Sequence, residues 1–170
     1  TWACTGWISC APNSSATAVA EAAVREAMLP FLDGRFGNPS GLYAIGRDAQ
    51  AAVDGARQTV AECLGARPAE ILFTSGGTES INTATLGIAY AMSRAGAGNH
   101  IITTAVEHHA GLHVAQQLEE LGFEVTTLGC DGSGRVSVDE FRRALRPGTV
   151  LASVMLANNE IGILQDIPAI

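Results

Sequence analysis

Apolar positions follow two kinds of spacing along this chain, and their alternation predicts its secondary structure. Spacings of three and four residues indicate amphipathic helices, whereas short apolar runs rich in β-branched residues indicate buried strands. The predicted helices cover residues 17–33, 46–64, 78–94, 109–121 and 137–145, and the predicted strands cover residues 70–74, 100–104, 123–128 and 149–156. Strands and helices alternate over the second half of the chain, which is typical of a parallel sheet.

The order of these elements indicates an α/β fold of three layers, in which helices flank a mostly parallel sheet. We expect one domain over residues 17–170 and an irregular segment over residues 1–16, where no hydrophobic period is present. Gly65 is expected to end the second helix. Ser137 and Glu140 have the spacing of a capping box and are expected to start the last helix.

Composition narrows the class of function. The chain has 170 residues, of which 47% are hydrophobic, and its net charge is −7. This charge argues against a nucleic-acid partner, which needs clustered basic residues. No apolar run reaches the roughly 18 residues of a membrane span, and the start of the chain lacks the pattern of a secretory signal. Four cysteines without a CxxC pair favour free thiols in a reducing cytoplasm.

The chain contains no lysine, because all ten of its basic residues are arginines. A guanidinium stays protonated and cannot serve as a Schiff-base amine. Chemistry that needs a lysine side chain is therefore closed to these residues by themselves.

Polar clusters follow three of the predicted strands, at the position where ligands gather in parallel sheets. The clusters are SGGTES after the first strand, AVEHHAG after the second and ANNEIG after the fourth. In the first cluster, glycines let the backbone approach a ligand closely, and the start of the next helix offers free N–H groups. One interpretation is a phosphate cradle; the other is a tight turn in which Ser75 or Thr78 caps the helix.

The other two clusters also leave alternatives open. His108 follows a strand end, where its imidazole could stack on a planar cofactor or merely begin a helix. His109 and His113 are four residues apart, as in a metal site, but no third ligand stands at a diagnostic spacing. Asn158 and Asn159 could donate hydrogen bonds to a ligand or form an Asn-rich turn.

Taken together, five segments resemble the cysteine desulfurases of the class V aminotransferases, which have fold-type I and use pyridoxal 5′-phosphate. The segments are FGNPSG at 36–41, EILFTSGGTESIN at 70–82, HIITTAVEHHA at 100–110, GFEVTTL at 122–128 and NNEIGILQDI at 158–167. Their order and approximate spacing match the family, and NNEIG favours its iron–sulfur-cluster type. The resemblance implies that residues 17–170 are the N-terminal portion of the large transferase domain, ending before the Schiff-base lysine.

The resemblance assigns roles to individual residues. Gly77 and Thr78 stand where the family holds the cofactor phosphate. His108 stands where a histidine stacks on the pyridine ring and helps proton transfer, so it is the expected catalytic residue. Asn159 stands where the family donates a hydrogen bond to the phenolic oxygen of the ring. No metal ion is expected.

The resemblance further implies a reaction and its partners. The expected substrate is L-cysteine, which is left as alanine while its sulfur passes to an acceptor or scaffold protein for iron–sulfur clusters or thio-cofactors. A cytoplasmic homodimer is expected, without a nucleic-acid or membrane partner. Because the family's lysine has no counterpart here, we expect these residues not to catalyse alone. The alternatives are a non-catalytic binding module for phosphate or pyridoxal phosphate, a selenocysteine lyase and an aminotransferase.

Overall fold

The structure, a computed structural model, describes residues 22–170, which divide into two compact units between Phe73 and Thr74. The irregular segment predicted at residues 1–16 lies outside the described residues. The elements in chain order are α1 (Ala22–Asp33), α2 (Ala44–Leu64), a 3-10 turn (Pro68–Glu70), α3 (Gly77–Arg94), β1 (His100–Thr104), α4 (His109–Glu120), β2 (Glu124–Leu128), α5 (Val138–Ala144) and β3 (Thr149–Ala152). No helix among them is long and apolar enough to cross a membrane.

The first unit consists of α1, α2 and the 3-10 turn. Both predicted helices are present, although residues 17–21 of the first lie outside the described part. Gly65 ends α2 in a left-handed conformation with φ of 63°, which confirms its predicted role.

The strand predicted at residues 70–74 is wrong for the described structure. Its central residues Leu72 and Phe73 are 61% and 46% exposed, and no described strand pairs with them. Arg57 of α2 instead donates to the backbone carbonyl of Ile71, and its guanidinium lies 4.9 Å from the centre of the Phe73 ring. A strand needs a neighbour to satisfy its backbone groups, and an apolar sequence cannot supply that neighbour by itself.

The second unit is a parallel sheet with the strand order β2-β1-β3. The last strand was predicted over residues 149–156, but β3 already ends at Ala152. Ser153 still donates its N–H to Ile102 at 2.8 Å, but the N–H of Met155 turns to a side chain instead of the ladder. The chain therefore leaves the sheet before the run of apolar residues ends.

Successive residues of β1 point to opposite faces of the sheet, as the pleat requires. Ile101 packs into a cluster with Ala89 of α3 and Leu118 of α4. Ile102 packs into a second cluster with Leu128 of β2 and Phe141 of α5. Helices thus cover both faces, and the predicted three-layer α/β fold is confirmed.

A buried histidine ties the three strands together at the amino end of the sheet. The Nδ1 atom of His100 lies 2.7 Å from the hydroxyl of Thr149 on β3, and its Nε2 atom lies 2.9 Å from the hydroxyl of Thr126 on β2. Burial lowers the pKa of His100 below its usual value of 6.5, and the positive charge of Arg146 acts in the same direction, while Glu124 opposes it. His100 is therefore a structural residue at the amino end of the sheet, opposite the carboxyl ends that the polar clusters follow.

The free energy of unfolding is expected to fall as the pH drops below about 6.5. The unfolded chain takes up a proton on His100 near its usual pKa, whereas the folded chain resists protonation until a lower pH, so this stability is lost on acidification. When urea unfolding is measured at several pH values, the free energy of unfolding should depend less on pH in His100→Gln than in the original chain. His113 is exposed, so His113→Gln is the matched control and should keep the pH dependence of the original chain. An equal pH dependence of stability in both variants would contradict the role given to His100.

Candidate functional site at the carboxyl edge of the sheet

The carboxyl edge, defined by the last residues of the three strands, gathers two helix starts. Helix α4 begins a few residues after β1 ends. Helix α3 ends five residues before β1 begins, so its end lies at the opposite, amino edge. Because α3 packs alongside α4 and β3, its start returns to the carboxyl edge. The partial positive charges of both helix starts are therefore at this edge.

The start of α3 lacks a side-chain cap. Gly76 occupies the N-cap position, and neither Ser75 nor Thr78 accepts a hydrogen bond from the first turn. The carboxylate of Glu79 reaches back instead, and it accepts from the N–H and the hydroxyl of Ser75, each at 2.6 Å. These hydrogen bonds lower the pKa of Glu79. The capping interpretation of Ser75 and Thr78 is thus wrong for the structure described.

The first N–H groups of α3 remain free to bind a ligand. Within residues 22–170, the N–H groups of Gly77 and Thr78 find no acceptor, and the Thr78 side chain is exposed. The hydroxyls of Thr74 and Ser80 bond to each other, and Ser80 donates to the Gly76 carbonyl at 3.2 Å, which braces the loop before the helix. Free N–H groups at a helix start are able to accept an anionic ligand as their hydrogen-bond partner.

His108 begins α4 and leaves its ring exposed. Its Nδ1 atom accepts from the N–H of Ala110 at 3.1 Å, so His108 is the N-cap of the helix. A neutral ring with Nδ1 as acceptor carries its proton on Nε2, which makes that atom a hydrogen-bond donor. His108 thus caps the start of α4, as one of its two interpretations expects, and its side chain remains exposed.

The two later histidines of this helix lie close together but do not form a complete metal site. The rings of His109 and His113 are 5.8 Å apart between centroids. No group of three metal-binding side chains is found in the described part of the chain. A two-histidine pair lacks the ligand number of a structural or catalytic zinc site.

The paired asparagines have different environments. The Oδ1 atom of Asn158 accepts from the N–H groups of Glu160 and Ile161, each at 2.9 Å, and its Nδ2 atom donates to the carbonyl of Val106 at 2.9 Å. Asn159 is exposed, and its side chain bonds to none of the residues that the structure describes. Asn158 thus builds the turn, whereas Asn159 keeps a free amide.

Glu107 is a residue of this edge that the sequence analysis missed. It is partly buried, and its Oε1 atom accepts from the Thr104 hydroxyl at 3.2 Å and from the N–H of Met155. Burial raises its pKa, and both hydrogen bonds oppose the rise. The available signal was an acidic residue placed directly between a buried strand and a helix start.

These contacts join the loop after β1 to the loop after β3. His108 and Asn159 each stand next to a residue that bridges the two loops. The start of α3, with Gly77 and Thr78, lies at the same edge, but no hydrogen bond among residues 74–170 connects it to either loop. Within residues 22–170, Cys63 and Cys130 are exposed free thiols.

An α/β sheet whose carboxyl edge collects helix starts and convergent polar groups is typical of enzymes that bind phosphate-bearing cofactors. The chain belongs to the aminotransferase class-V family, whose pattern matches residues 13–170. Over 158 residues it is 51% identical to cysteine desulfurase IscS of Methanosarcina thermophila, covering 93% of this chain and 39% of that protein. The resemblance of the five segments to the class V aminotransferases is thereby confirmed.

Solved structures agree with this assignment. A NifS-like protein superposes with a TM-score of 0.79 at 36% identity, over 86% of this chain and 40% of that one. SspA in complex with cysteine superposes with a TM-score of 0.78 at 37% identity, over 88% of this chain and 42% of that one. The chain therefore spans about two fifths of the length of these proteins, with 39% for the desulfurase of Methanosarcina thermophila.

Proposed function

We propose that this chain is the cofactor-phosphate-binding part of a pyridoxal 5′-phosphate-dependent cysteine desulfurase. The observation that carries the proposal is the open start of α3, where Gly77 and Thr78 offer N–H groups without acceptors in the described structure. Membership of the class V family and the 51% sequence identity to a cysteine desulfurase support the choice of cofactor and substrate.

The residues present fit the phosphate of this cofactor. A dianion gains from N–H donors and from the positive end of the helix dipole. The exposed hydroxyl of Thr78 adds a further donor beside the two N–H groups. Glycine at positions 76 and 77 removes side chains from the approach to the backbone.

The remaining site residues fit the ring of the cofactor. His108 would stack on the pyridine face and, as the catalytic residue, exchange a proton at Nε2. Asn159 would donate its free amide to the phenolic oxygen. When bound, the cofactor draws electrons away from the substrate carbon attached to it. The chain's own part is to hold the phosphate, orient the ring and place a proton carrier beside it.

The wider function follows from the family. The proposed substrate is L-cysteine, and the proposed sulfur acceptor is a scaffold or carrier protein for iron–sulfur clusters or thio-cofactors. We also propose a homodimer in the cytoplasm. Exposed apolar side chains near the site, Leu156, Ile161 and Leu164, favour a covered surface there.

A non-catalytic binding module is the second candidate, in which these residues bind the cofactor without a Schiff base, since they include no lysine. With no lysine among them, these residues would hold the cofactor by non-covalent contacts. Reduction with borohydride in the presence of pyridoxal phosphate should leave every internal side chain unlabelled. Specific labelling of an internal residue would contradict this.

Pyridoxal phosphate is expected to bind the chain and raise its melting temperature. Pyridoxal, which lacks the phosphate, should bind at least about tenfold more weakly, because it loses charge-assisted hydrogen bonds at the start of α3. Equilibrium titration measures both ligands, and inorganic phosphate should compete with pyridoxal phosphate. Equal affinity for the two pyridoxal forms would exclude the proposed cradle.

A further inference from the structure

Two side chains fasten the loop after β1 to the loop after β3, and each loop provides one of them. Glu107 of the first loop accepts from the N–H of Met155 in the second. Asn158 of the second loop donates to the carbonyl of Val106 in the first, at 2.9 Å. The bridge is reciprocal, since each side chain ends on the backbone of the opposite loop.

Each bridging residue directly precedes a proposed site residue. Glu107 precedes His108, and Asn158 precedes Asn159. We propose that Glu107 and Asn158 are positioning residues, whose loop-to-loop hydrogen bonds set the spacing between the stacking ring of His108 and the amide of Asn159. This inference rests on the proposed function, because it concerns the same cofactor ring.

Glu107 is well suited to hold its position. Its carboxylate is anchored to the end of β1 through the fully buried Thr104, whose hydroxyl donates at 3.2 Å. It also lies against α4, since a Cβ atom added to Gly111 would stand 3.2 Å from Oε2 of Glu107. The carboxylate is thus held by the strand, the helix and the neighbouring loop, which restricts its rotamers.

Asn158 is equally constrained. Its Oδ1 atom accepts from the N–H groups of Glu160 and Ile161, so only the Nδ2 group is directed to the other loop. The backbone N–H of Asn158 donates to Ile163 at 2.9 Å, which closes the turn around it. A rigid turn bound to the first loop holds Asn159 in one place relative to His108.

The bridge does not extend to the phosphate cradle. No hydrogen bond within residues 74–170 links the start of α3 to Glu107 or Asn158. Loosening the bridge should therefore weaken contacts to the cofactor ring and leave contacts to its phosphate unchanged. A preorganised site loses affinity when its ligand-contacting groups must be ordered on binding.

The test compares two ligands on two variants of Glu107 and on one control variant. In Glu107→Ala, the affinity for pyridoxal phosphate should fall roughly tenfold, as expected for losing a hydrogen bond to a charged group. The affinity for inorganic phosphate should stay within about twofold of the original, because the helix start is intact. Glu107→Gln keeps an acceptor for Met155 and should retain most of the affinity. Glu120 is exposed at the last position of α4, so Glu120→Ala removes a carboxylate away from the bridge and should change the affinity for neither ligand.

Asn158→Asp provides a second variant should Glu107→Ala fail to fold. Aspartate keeps the acceptor for Glu160 and Ile161 but cannot donate to Val106, so the turn persists while the bridge is lost. It should reproduce the selective loss of pyridoxal phosphate affinity. Hydrogen exchange without ligand should also become faster at the N–H of Met155 in Glu107→Ala.

The outcomes separate the two proposals. An original chain that binds no pyridoxal phosphate overturns the proposed function and this inference with it. An original chain that binds the cofactor, with Glu107→Ala and Asn158→Asp of unchanged affinity, overturns this inference alone. Equal losses for pyridoxal phosphate and inorganic phosphate also overturn it, because they indicate general damage to the fold.

Discussion

Thr78→Asp is expected to weaken pyridoxal phosphate binding by at least about a hundredfold while the chain stays folded. Two like charges about 4 Å apart near a protein surface repel by about 4 kcal/mol, and a factor of ten in affinity corresponds to about 1.4 kcal/mol. The helix dipole favours an acidic residue in the first turn of α3 by about 0.3–1 kcal/mol. Glu79 in the same turn offsets part of that gain.

Binding titrations and urea unfolding together measure this result. Thr78→Ser keeps the hydroxyl and should bind almost as the original chain does. Gln116→Asp adds the same charge on the exposed surface of α4 and should leave affinity unchanged. If Thr78→Asp bound pyridoxal phosphate normally, the phosphate site would have to lie away from the start of α3.

Gly98→Ala is expected to lower the free energy of unfolding by about 2–6 kcal/mol, which combines about 1–3 kcal/mol of backbone strain with about 1–3 kcal/mol of overpacking. Gly98 has φ of 140°, and an added Cβ would stand 2.3 Å from the carbonyl oxygen of Gly148. That oxygen accepts the N–H of His100 at 3.0 Å, so the clash would separate the amino ends of β1 and β3.

Gly96→Ala is the matched control for this prediction. Gly96 also has a positive φ, of 72°, but an added Cβ would meet no atom within 4 Å. It should lose only the strain, about 1 kcal/mol, and the difference between the two variants isolates the clash with Gly148. Urea unfolding measures both, and equal losses would show that the close approach does not contribute.

Elements with a strong local signal were predictable to within a few residues. The helical spacing at 46–64 corresponds to α2, and the apolar run at 100–104 corresponds to β1. The run at 70–74 has the same apolar character yet forms no strand in the described structure. The difference lies in pairing, because β1 has neighbours on both sides. A sequence pattern records which residues favour burial, but not which strand lies beside them.

The candidate site shows the same division. The glycine pair before a helix was visible in the sequence, whereas the structure shows that the N–H groups of Gly77 and Thr78 have no acceptor within residues 22–170. The sequence could not separate Asn158 from Asn159 by chemistry, since both are the same amino acid. The contacts of Asn158 distinguish it from Asn159, and one of them reaches Val106, 52 residues away in the chain.

By itself, the sequence determined the motifs that resemble the class V family and the absence of a lysine among these residues. The α/β order of elements also followed from residue types and spacings along the chain. Tertiary structure alone decided which groups remain free for a ligand and which are used by the fold. Glu107 illustrates the reason: its contact with Met155 spans 48 residues and exists only once β1 and β3 lie side by side.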